Sequence, residues 1–283
     1  MLPRRTFLVA AAAMFAAPAR AGAQSLAAIE KALGGRLGAF AVNVAAGAAL
    51  SHHAGERFAL CSTFKLALAA RVLQRAERGE DSLEETIAFS KDDLLFHSPV
   101  TAQHAEEGAM SVGALAAAIV EHSDNLGANL LLARVGGPQG MTAFFRALGD
   151  GTTRLDRYEL ELNSNIPGDE RDTTTPEAMA GTLRALLVDG AALSPASRET
   201  LIGWMRRERN APGRLRAGLP ADWRAGSKPG TSNNGATNDI GIAFPPGTGP
   251  LVISVYVDAP DAQPTARVAA IAAAARFFAE RLS

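Results

Sequence analysis

Strand patterns and helix patterns occupy separate parts of this chain of 283 residues. Hydrophobic alternation typical of half-buried strands occurs near the start of the chain and again after residue 213. The predicted strands cover 36–45, 222–227, 239–244 and 251–258. Helical periodicity dominates the chain between these regions, so the two ends must contribute to one sheet. This order predicts an α/β (α+β) fold, with an antiparallel sheet flanked by helices and interrupted by an inserted all-helical part.

The same patterns suggest a division of the chain into domains. Residues 24–53 and 213–283 would form a sheet domain and residues 54–212 an all-helical domain, with a ligand cleft between them. The predicted helices cover 25–35, 62–77, 126–135, 141–148, 176–188, 194–206 and 265–282. Another helix is predicted to begin after Ser111, a suitable N-cap, and Gly136-Gly137-Pro138 is a helix stop signal.

Residues 1–23 are typical of a signal peptide. Arg4-Arg5 supply a positive head, and the apolar run at 7–17 is shorter than the roughly 20 residues that a membrane span needs. Small residues favour cleavage after Ala21 or Ala23. The two arginines are similar to a twin-arginine export signal, although they also suit an ordinary secretory head. Either route predicts a periplasmic or secreted protein.

Charge and cysteine content argue against several classes of protein. A formal net charge of −1 and a sequence pI of about 6.5 do not suit a nucleic-acid or membrane surface. Cys61 is the single cysteine, so no internal disulfide can form and an apolar core must stabilise the fold. Hydrophobic residues make up 47% of the chain, which is sufficient for such a core.

Ser62-Thr63-Phe64-Lys65 begins the first long helical pattern of the middle region. Positions i and i+3 share a helix face, so the lysine amine can approach the serine hydroxyl. Serine is a weak nucleophile until a base removes its proton, and N–H groups at a helix start can stabilise an oxyanion. A base that must release its proton has to be lysine rather than arginine, and this chain has only four lysines. The motif alone is equally compatible with a solvated lysine on an amphipathic helix.

Two later motifs add polar side chains. Ser123-Asp124-Asn125 lies between two helical patterns, where the serine could pass a proton to a leaving nitrogen and the asparagine could bind a substrate amide. A simple helix cap is the alternative interpretation. Lys228-Pro229-Gly230 follows directly on a predicted strand, and a plain turn is the alternative there.

In this order, S-x-x-K, S-D-N and K-x-G resemble the motifs of the class A serine β-lactamases, which penicillin-binding proteins share in part. The resemblance extends over essentially the whole chain after the signal peptide. It includes the segment 157–163, with the sequence RYELELN, and the later Ile166-Pro167-Gly168-Asp169 and Asp172. In the family this segment is the loop that forms the floor of the active site.

The resemblance implies a role in acylation for each matching residue. Ser62 would attack the lactam carbonyl, and the N–H groups of Ser62 and Thr231 would form the oxyanion hole. Lys65, or Glu159 acting through water, would be the acylation base. Ser123 would deliver a proton to the lactam nitrogen. The substrate site would further include Asn125, Lys228 and Gly230.

The resemblance also implies how the acyl-enzyme is hydrolysed. Glu159 and Asn163 would hold the deacylating water, and Arg157 would pair with Asp172 to keep the loop closed. The implied protein is a monomer that hydrolyses penicillins and cephalosporins, with carbapenems left open, and needs no cofactor, metal or nucleic acid. The chain contains no H-x-H or H-E-x-x-H ligand set, and His52-His53 are simply adjacent.

The third motif departs from the usual pattern of the family. Pro229 stands where threonine or serine is usual, so a hydroxyl and a backbone N–H are missing. A proline is tolerated there if the strand is an edge strand. Thr231 and Arg214 are the expected replacements as ligands of the substrate carboxylate. A surface arginine is the alternative interpretation of Arg214.

Two further residues bear on specificity. Cys61 precedes the nucleophile as in some carbapenemases of the family, but Ser232 stands where their second cysteine would be. Cys61 is therefore expected to be a buried small residue. His97 occupies the position of an aromatic residue beside the substrate, where it would either stack on the ligand or face solvent.

Three other functions are compatible with parts of the pattern. A D,D-peptidase shares the three motifs but normally lacks the 157–163 loop. A β-lactam sensor that stays acylated would be expected to carry a membrane anchor. An exported helical binding protein would have to carry every motif by coincidence. Hydrolysis of a penicillin, a cephalosporin and a carbapenem would separate these functions from β-lactamase activity.

Overall fold

The structure, a computed structural model, describes residues 25–283. The predicted signal peptide at 1–23 lies outside the described residues. The helices are α1 (Leu26–Leu33), α2 (Phe64–Glu77), α3 (Val112–Glu121), α4 (Asn125–Arg134), α5 (Gly137–Ala147), α6 (Pro176–Leu187), α7 (Pro195–Arg206), α8 (Leu215–Gly218) and α9 (Pro264–Leu282). The strands are β1 (Arg36–Asn43), β2 (Ala49–His52), β3 (Phe58–Ala59), β4 (Thr86–Ala88), β5 (Ala109–Ser111), β6 (Thr173–Thr174), β7 (Arg224–Thr231), β8 (Ala236–Phe244) and β9 (Leu251–Asp258).

Five strands form one antiparallel sheet in the order β2-β1-β9-β8-β7. The strands β1 and β9 come from opposite ends of the chain and pair along their whole lengths, from Arg36 opposite Asp258 to Asn43 opposite Leu251. The sequence of β9 is almost continuously apolar, and the strand is buried on both faces. The predicted fold class is confirmed, because an antiparallel sheet assembled from both ends of the chain is flanked by helices.

Each face of the sheet packs against its own hydrophobic core. On one face, α1 and α9 cover β1 and β9 and enclose side chains such as Leu37, Ile271 and Phe278. On the other face, α6 packs on β1 and β9, and the remaining helices of the middle region enclose a larger core that includes Phe64 and Phe145. Because side chains alternate between the two faces of a strand, the period of the sequence decides which core each residue joins.

The predicted division into domains rests on where the strands lie. In the described part of the chain, the main sheet takes no strand from 54–212. Helix α6 belongs to that segment and nevertheless packs directly on the sheet. The boundaries of the two domains therefore stay a prediction. None of the described helices combines the length and the apolar character that a membrane crossing requires.

Most predicted elements lie within a few residues of the observed ones, and Ser111 caps α3 as expected, by accepting the Ala114 N–H. Three details differ. Helix α5 begins at Gly137, inside the predicted stop signal, because Pro138 fits the first turn of a helix, where its missing N–H has no partner to lose. Strand β7 extends to Thr231, so the third motif lies within the strand rather than after it. The short strands β2 to β6 and the short helix α8 were not predicted, and because β3 to β6 lie within 54–212 this region is not entirely helical.

Tyr256 connects the central strand β9 to the turn before α2. Its side chain is fully buried, and its hydroxyl lies 3.0 Å from Thr63 Oγ1. Thr63 Oγ1 itself donates to Leu60 O at 2.7 Å, so the tyrosine is the donor of this contact. Burial raises the pKa of the phenol, which keeps the donor proton in place.

Replacing Tyr256 by phenylalanine should destabilise the fold modestly. Loss of one buried hydrogen bond should lower the free energy of unfolding by about 0.5–1.5 kcal/mol, and Tm by about 1–6 °C. Thermal unfolding of Tyr256→Phe and of Tyr158→Phe, at a tyrosine that is 41% exposed, makes a matched comparison. Equal losses in the two variants would contradict a specific role for the Tyr256 hydroxyl.

Candidate active site

A cleft of about 530 Å³ lies between the edge strand β7 and the helical layer. It brings together several residues that the sequence predicts for the site. These residues are Ser62, His97, Ser123, Asn125, Asn163, Arg214, Gly230 and Thr231. The side chains of Lys65, Glu159 and Lys228 are fully buried and contact the cleft residues from behind.

The turn that carries Ser62 is held by the sheet. Cys61 has a φ of 44°, in the left-handed region that residues other than glycine rarely adopt. Asn238 of β8 donates to the carbonyl oxygens of Ala59 at 2.8 Å and of Leu60 at 3.3 Å. These bonds satisfy buried carbonyl groups and hold the turn in place despite its local strain.

Gly230 allows strand β7 to approach this turn. A Cβ atom at Gly230 would lie 3.0 Å from Leu60 O and 3.1 Å from Ser62 N, closer than most Cβ contacts, so the turn would have to shift. The short distance between the strand and the turn that carries Ser62 therefore favours glycine at this position of the third motif. Cys61 is free and fully buried, as expected for a small packing residue. Burial raises the pKa of its thiol, which makes it unreactive.

Lys65 lies in the first turn of α2, and its ammonium group contacts three oxygen atoms. Lys65 Nζ donates to Ser123 O at 2.9 Å and to Asn125 Oδ1. Lys65 Nζ also lies 2.9 Å from Glu159 Oε1, but the angles of this contact do not meet those of a hydrogen bond. The contact is therefore mainly electrostatic. A buried charge destabilises a protein unless it is paired, and here two chain segments, 123–125 and the loop with Glu159, provide the partners.

The Glu159 carboxylate lies between Lys65 and Asn163. Asn163 Nδ2 donates to Glu159 Oε2 at 2.5 Å. Asn163 Oδ1 is buried and accepts no hydrogen bond from the described residues, so it can accept one from a water molecule. The sequence did not reveal the contribution of Asn129, whose side chain accepts the Glu159 N–H and donates to the Glu159 C=O, both at 2.9 Å. These two bonds fix the backbone of Glu159.

Arg157 and Asp172 pair at the base of the loop, as the sequence predicts. Arg157 Nε donates to Asp172 Oδ2 at 2.6 Å. The other carboxylate oxygen accepts the N–H groups of Asp156 at 2.7 Å and of Arg157 at 3.0 Å. The Leu60 N–H donates to the carbonyl oxygen of Asp172 at 2.8 Å. Asp172 thus joins the loop to the segment that leads into α2.

A second set of contacts joins the loop to the turn between β7 and β8. Ser232 Oγ donates to Asn163 O at 2.6 Å, and Asn234 Nδ2 donates to Ser164 O at 2.6 Å. Asn165 Nδ2 donates in turn to Asn234 O at 2.8 Å. Sequence analysis did not predict these contacts, because short polar residues in turns carry no periodic signal.

Ser123 links the two buried lysines of the site. Its carbonyl oxygen accepts from Lys65, and its hydroxyl accepts from Lys228 Nζ at 3.0 Å. Lys228 Nζ also donates to Pro229 O at 2.9 Å. Burial, reinforced by the positive charge of Lys65, lowers the pKa of Lys228 to about 7.

The middle residue of the second motif is a helix cap, and its neighbours face the cleft. Asp124 Oδ1 accepts the Gly127 N–H at 2.9 Å at the start of α4, as the alternative interpretation of this motif expected. Asn125 accepts from Lys65 and donates from Nδ2 to Phe96 O at 2.8 Å. One amide hydrogen of Asn125 remains for a ligand in the cleft.

The hydrogen-bond register of β7 explains why Pro229 is tolerated. The Ser232 N–H donates to Ala236 O at 2.9 Å, so this pair is of the hydrogen-bonded type. Residues alternate between the two types along an antiparallel pair, which makes the pairs of Thr231 and of Pro229 non-hydrogen-bonded. Their nitrogen atoms therefore face the free edge of the sheet. Proline loses no ladder bond there, and the Thr231 N–H points toward the cleft.

Arg214 is buried, so its interpretation as a surface residue is wrong. Its Nη1 donates to Gly230 O and to Asn238 O, both at 2.8 Å, and its Nη2 donates to Thr231 Oγ1 at 2.7 Å. The guanidinium thus supports the backbone of β7 and orients the Thr231 hydroxyl. With its oxygen occupied as an acceptor, that hydroxyl can direct its hydrogen toward a ligand.

His97 lies at the mouth of the cleft and is both a lining residue and exposed to solvent. Its φ is 58°, and its Nε2 lies 3.1 Å from His122 O. The neighbouring Phe96 also lines the cleft and is 79% exposed. The sequence analysis missed Phe96, because an isolated aromatic residue in a loop has no recognisable pattern. Such an exposed aromatic surface can contact a bound ligand.

Known proteins resemble this chain over most of its length. A family model described as the beta-lactamase enzyme family matches residues 22–281. The carbapenem-hydrolyzing beta-lactamase KPC of Klebsiella oxytoca is 44% identical over 261 residues, which are 92% of this chain and 88% of the relative. Beta-lactamase CTX-M-8 of Citrobacter amalonaticus is 42% identical over 257 residues, which are 91% and 88% of the two chains.

Solved structures show the same fold. An ancestral class A beta-lactamase of Gram-negative bacteria superposes with a TM-score of 0.88 at 49% sequence identity, over 91% of this chain and 98% of that structure. A beta lactamase from Burkholderia vietnamiensis gives a TM-score of 0.87 at 44% identity, over 90% and 94% of the two chains. With its motifs, its cleft and these relatives, the chain belongs to the β-lactamase enzyme family, as a class A serine β-lactamase.

Proposed function

We propose that Ser62 is the nucleophile that opens the β-lactam ring and that Glu159 activates the water that hydrolyses the acyl-enzyme. The observation that carries this assignment is the convergence of three oxygen atoms, from Ser123, Asn125 and Glu159, on the buried ammonium of Lys65. Lys65 shares a helix face with Ser62. An apolar side chain would stabilise the core at least as well as a buried ion pair, so a catalytic role accounts best for these charges.

In acylation, Ser62 Oγ bonds to the lactam carbonyl carbon. Its proton passes through water to the Glu159 carboxylate, or to Lys65 after the Lys65 ammonium has transferred a proton to Glu159. The carbonyl oxygen gains negative charge and would accept from the N–H groups of Ser62 and Thr231. The Thr231 N–H faces the free edge of β7, where Gly230 packs against the nucleophile turn. As the C–N bond breaks, the Ser123 hydroxyl donates a proton to the nitrogen, supported by Lys228.

In deacylation, a water between Glu159 and Asn163 attacks the ester carbonyl, the bond from the carbonyl carbon to Ser62 Oγ breaks, and the proton taken from the water returns to the serine oxygen. The buried carboxylate removes a proton from this water, and Asn163 Oδ1 accepts the second water hydrogen. The hydrogen bonds from Asn129, together with the Arg157–Asp172 pair, keep the base at a fixed distance from the ester. This proposal explains why the loop is bonded to several separate parts of the chain.

The substrate carboxylate would bind to Thr231 and Lys228 rather than directly to Arg214. The three observed bonds of Arg214 go to protein oxygens, and the contact with Thr231 Oγ1 orients that hydroxyl. Lys228 supplies positive charge behind the strand. Pro229, which lacks a hydroxyl, contributes only its carbonyl oxygen to this network.

For the biological setting, we propose an exported monomer whose substrates include penicillins, cephalosporins and carbapenems. The N-terminal sequence supports export, and the relative named as carbapenem-hydrolyzing supports the third substrate class. Initial rates on one member of each class would test the substrate range. Fractionation of cells that express the full chain would test a periplasmic or secreted location.

The Glu159→Gln variant should form the acyl-enzyme and then stall. Loss of a general base should lower steady-state turnover of a penicillin by about 100- to 10,000-fold, while a stoichiometric burst remains. Intact mass spectrometry should show one adduct, which peptide mapping places on Ser62. Glu170→Gln, at an exposed glutamate of the same loop, is the matched control and should turn over normally. An adduct at another residue, or normal turnover of Glu159→Gln, would falsify the assignment.

The value of kcat/KM for anionic substrates should fall as the pH rises above about 7. The pKa of Lys228 in the free enzyme is about 7, so its positive charge is present below this pH and is lost above it. Without that charge the substrate carboxylate binds less well, and kcat/KM should decrease about five- to ten-fold between pH 7 and pH 9. In the enzyme–substrate complex the bound carboxylate raises the pKa of Lys228. The decline in kcat should therefore occur at a higher pH than the decline in kcat/KM.

The Lys228→Arg variant provides the control for this pH profile. Its guanidinium stays charged throughout the range, so the decrease above pH 7 should disappear even if the overall rate is lower. An unchanged profile in this variant would assign the decrease to another group.

The effects of Arg214→Ala and Thr231→Val should not be additive. A charge-assisted hydrogen bond contributes on the order of 1.5–3 kcal/mol, which corresponds to a decrease in kcat/KM of roughly 10- to 150-fold for Arg214→Ala. If the arginine acts by orienting the Thr231 hydroxyl, its removal from the Thr231→Val background should lower kcat/KM much less. Fully additive losses would show instead that each residue binds the carboxylate independently. Esterified substrates should show only small losses in either variant.

A further inference from the structure

Glu30, His52 and His53 meet at the edge of the sheet that lies opposite the cleft. Glu30 belongs to α1, His52 ends the edge strand β2, and His53 follows it. In the sheet order, β2 and β7 are the two outer strands. Four strand spacings, or about 19 Å, therefore separate this cluster from the proposed catalytic residues of β7. The mechanism of hydrolysis uses none of the three side chains.

The backbone at His53 directs two neighbouring imidazoles to the same side. In an extended strand, successive side chains point to opposite faces. His53 instead has a φ of 45°, and the two ring centroids lie 4.2 Å apart. Both rings present Nε2 to the same carboxylate oxygen, because Glu30 Oε2 lies 2.8 Å from His52 Nε2 and 3.2 Å from His53 Nε2.

These distances suit three ligands of one tetrahedral metal ion. Zinc bonds of about 2.0–2.1 Å to nitrogen and oxygen place neighbouring ligand atoms about 3.3 Å apart. The three candidate ligand atoms all lie within 4.8 Å of one another. Within residues 25–283, no other three His, Cys, Asp or Glu side chains satisfy this condition.

Outer contacts orient two of the three ligands. Glu30 Oε1 accepts the Leu37 N–H at 2.9 Å, which leaves Oε2 free to face the histidines. His53 Nδ1 lies 2.7 Å from Glu56 Oε1. A neutral imidazole that binds a metal through Nε2 donates its remaining N–H to such a carboxylate.

We propose that Glu30, His52 and His53 bind one zinc ion, with water as the fourth ligand. Imidazole nitrogen and carboxylate oxygen are ordinary zinc ligands. The exposed fractions of the three side chains are 21%, 17% and 42%, so an ion can enter from solvent and retain a water molecule. The bound ion joins α1 to the end of β2. Its effect is to stabilise the fold, without a part in hydrolysis.

Sequence spacing could not reveal this site. Adjacent histidines do not form a ligand pair in a regular strand, and Glu30 precedes His52 by 22 residues. Sequence analysis expected that the protein needs no metal, because H-x-H and H-E-x-x-H motifs are missing, and the proposed site departs from that expectation. The cluster depends on the packing of α1 beside β2 and on the left-handed backbone at His53.

Metal titration of the untagged, chelator-treated protein tests the proposal. Isothermal titration with Zn²⁺ should show one saturable site, and Co²⁺ should give the visible spectrum of a tetrahedral ion. Zn²⁺ at about one hundred times its Kd should raise Tm by about 5 °C or more. Glu30→Gln and His53→Asn should each weaken binding by at least about 10- to 100-fold. Asparagine is chosen because it tolerates the positive φ of His53.

Two controls make the outcome decisive. His104→Gln removes a surface histidine outside the cluster and should leave Zn²⁺ affinity unchanged, and all three variants should hydrolyse a penicillin within about two-fold of the parent. The proposal is overturned if wild-type protein shows no saturable binding or gives the spectrum of octahedral Co²⁺. The proposal is also overturned if Glu30→Gln and His53→Asn bind Zn²⁺ with the affinity of the wild-type protein. Because the wild-type spectrum is decisive by itself, a variant that fails to fold does not prevent the test.

Discussion

The structure of the catalytic region depends on the buried ammonium of Lys65. A charge without solvent must find its partners within the protein, and loss of one partner of a buried pair typically destabilises a fold by about 3–5 kcal/mol. Those partners come from the turn between α3 and α4 and from the 157–172 loop. One lysine therefore fixes the relative positions of three segments that are distant in sequence. The same contacts hold the loop carboxylate and the Ser123 segment beside the cleft that Ser62 lines.

Backbone strain is concentrated at the two clusters of polar residues. The described non-glycine residues with positive φ are His53, Cys61, His97, Ser123, Asn165 and Asp172. All but one lie at the cleft or in the loop beneath it, and His53 belongs to the proposed metal site. Such conformations persist only where the surrounding contacts over-determine them. Asp172 illustrates this, since its side chain and carbonyl oxygen together accept four hydrogen bonds.

Because β7 is an edge strand, it can contain Pro229 in the third motif and still pair regularly with β8. An interior strand could not lose the N–H that Pro229 lacks, whereas the free edge needs no ladder bond at that position. The same free edge directs the Thr231 N–H toward the cleft. Arg214 then bonds the strand from behind, through the carbonyl oxygens of Gly230 and Asn238. Pro229 offers no hydroxyl to the cleft, and the hydroxyl at this end of the strand is that of Thr231, which accepts from Arg214.

The sequence by itself determined the fold class, the three motifs and the loop with Glu159, because periodicity and short motifs are local properties of a chain. Even the pairing of Arg157 with Asp172 could be inferred from the family resemblance. Only the tertiary structure decided that Arg214 is buried against β7 and that Asn129 holds the backbone of Glu159. It alone brought Glu30 to the two histidines. These contacts join residues far apart in sequence, and packing between helices, loops and strand edges, which no local pattern encodes, sets their distances.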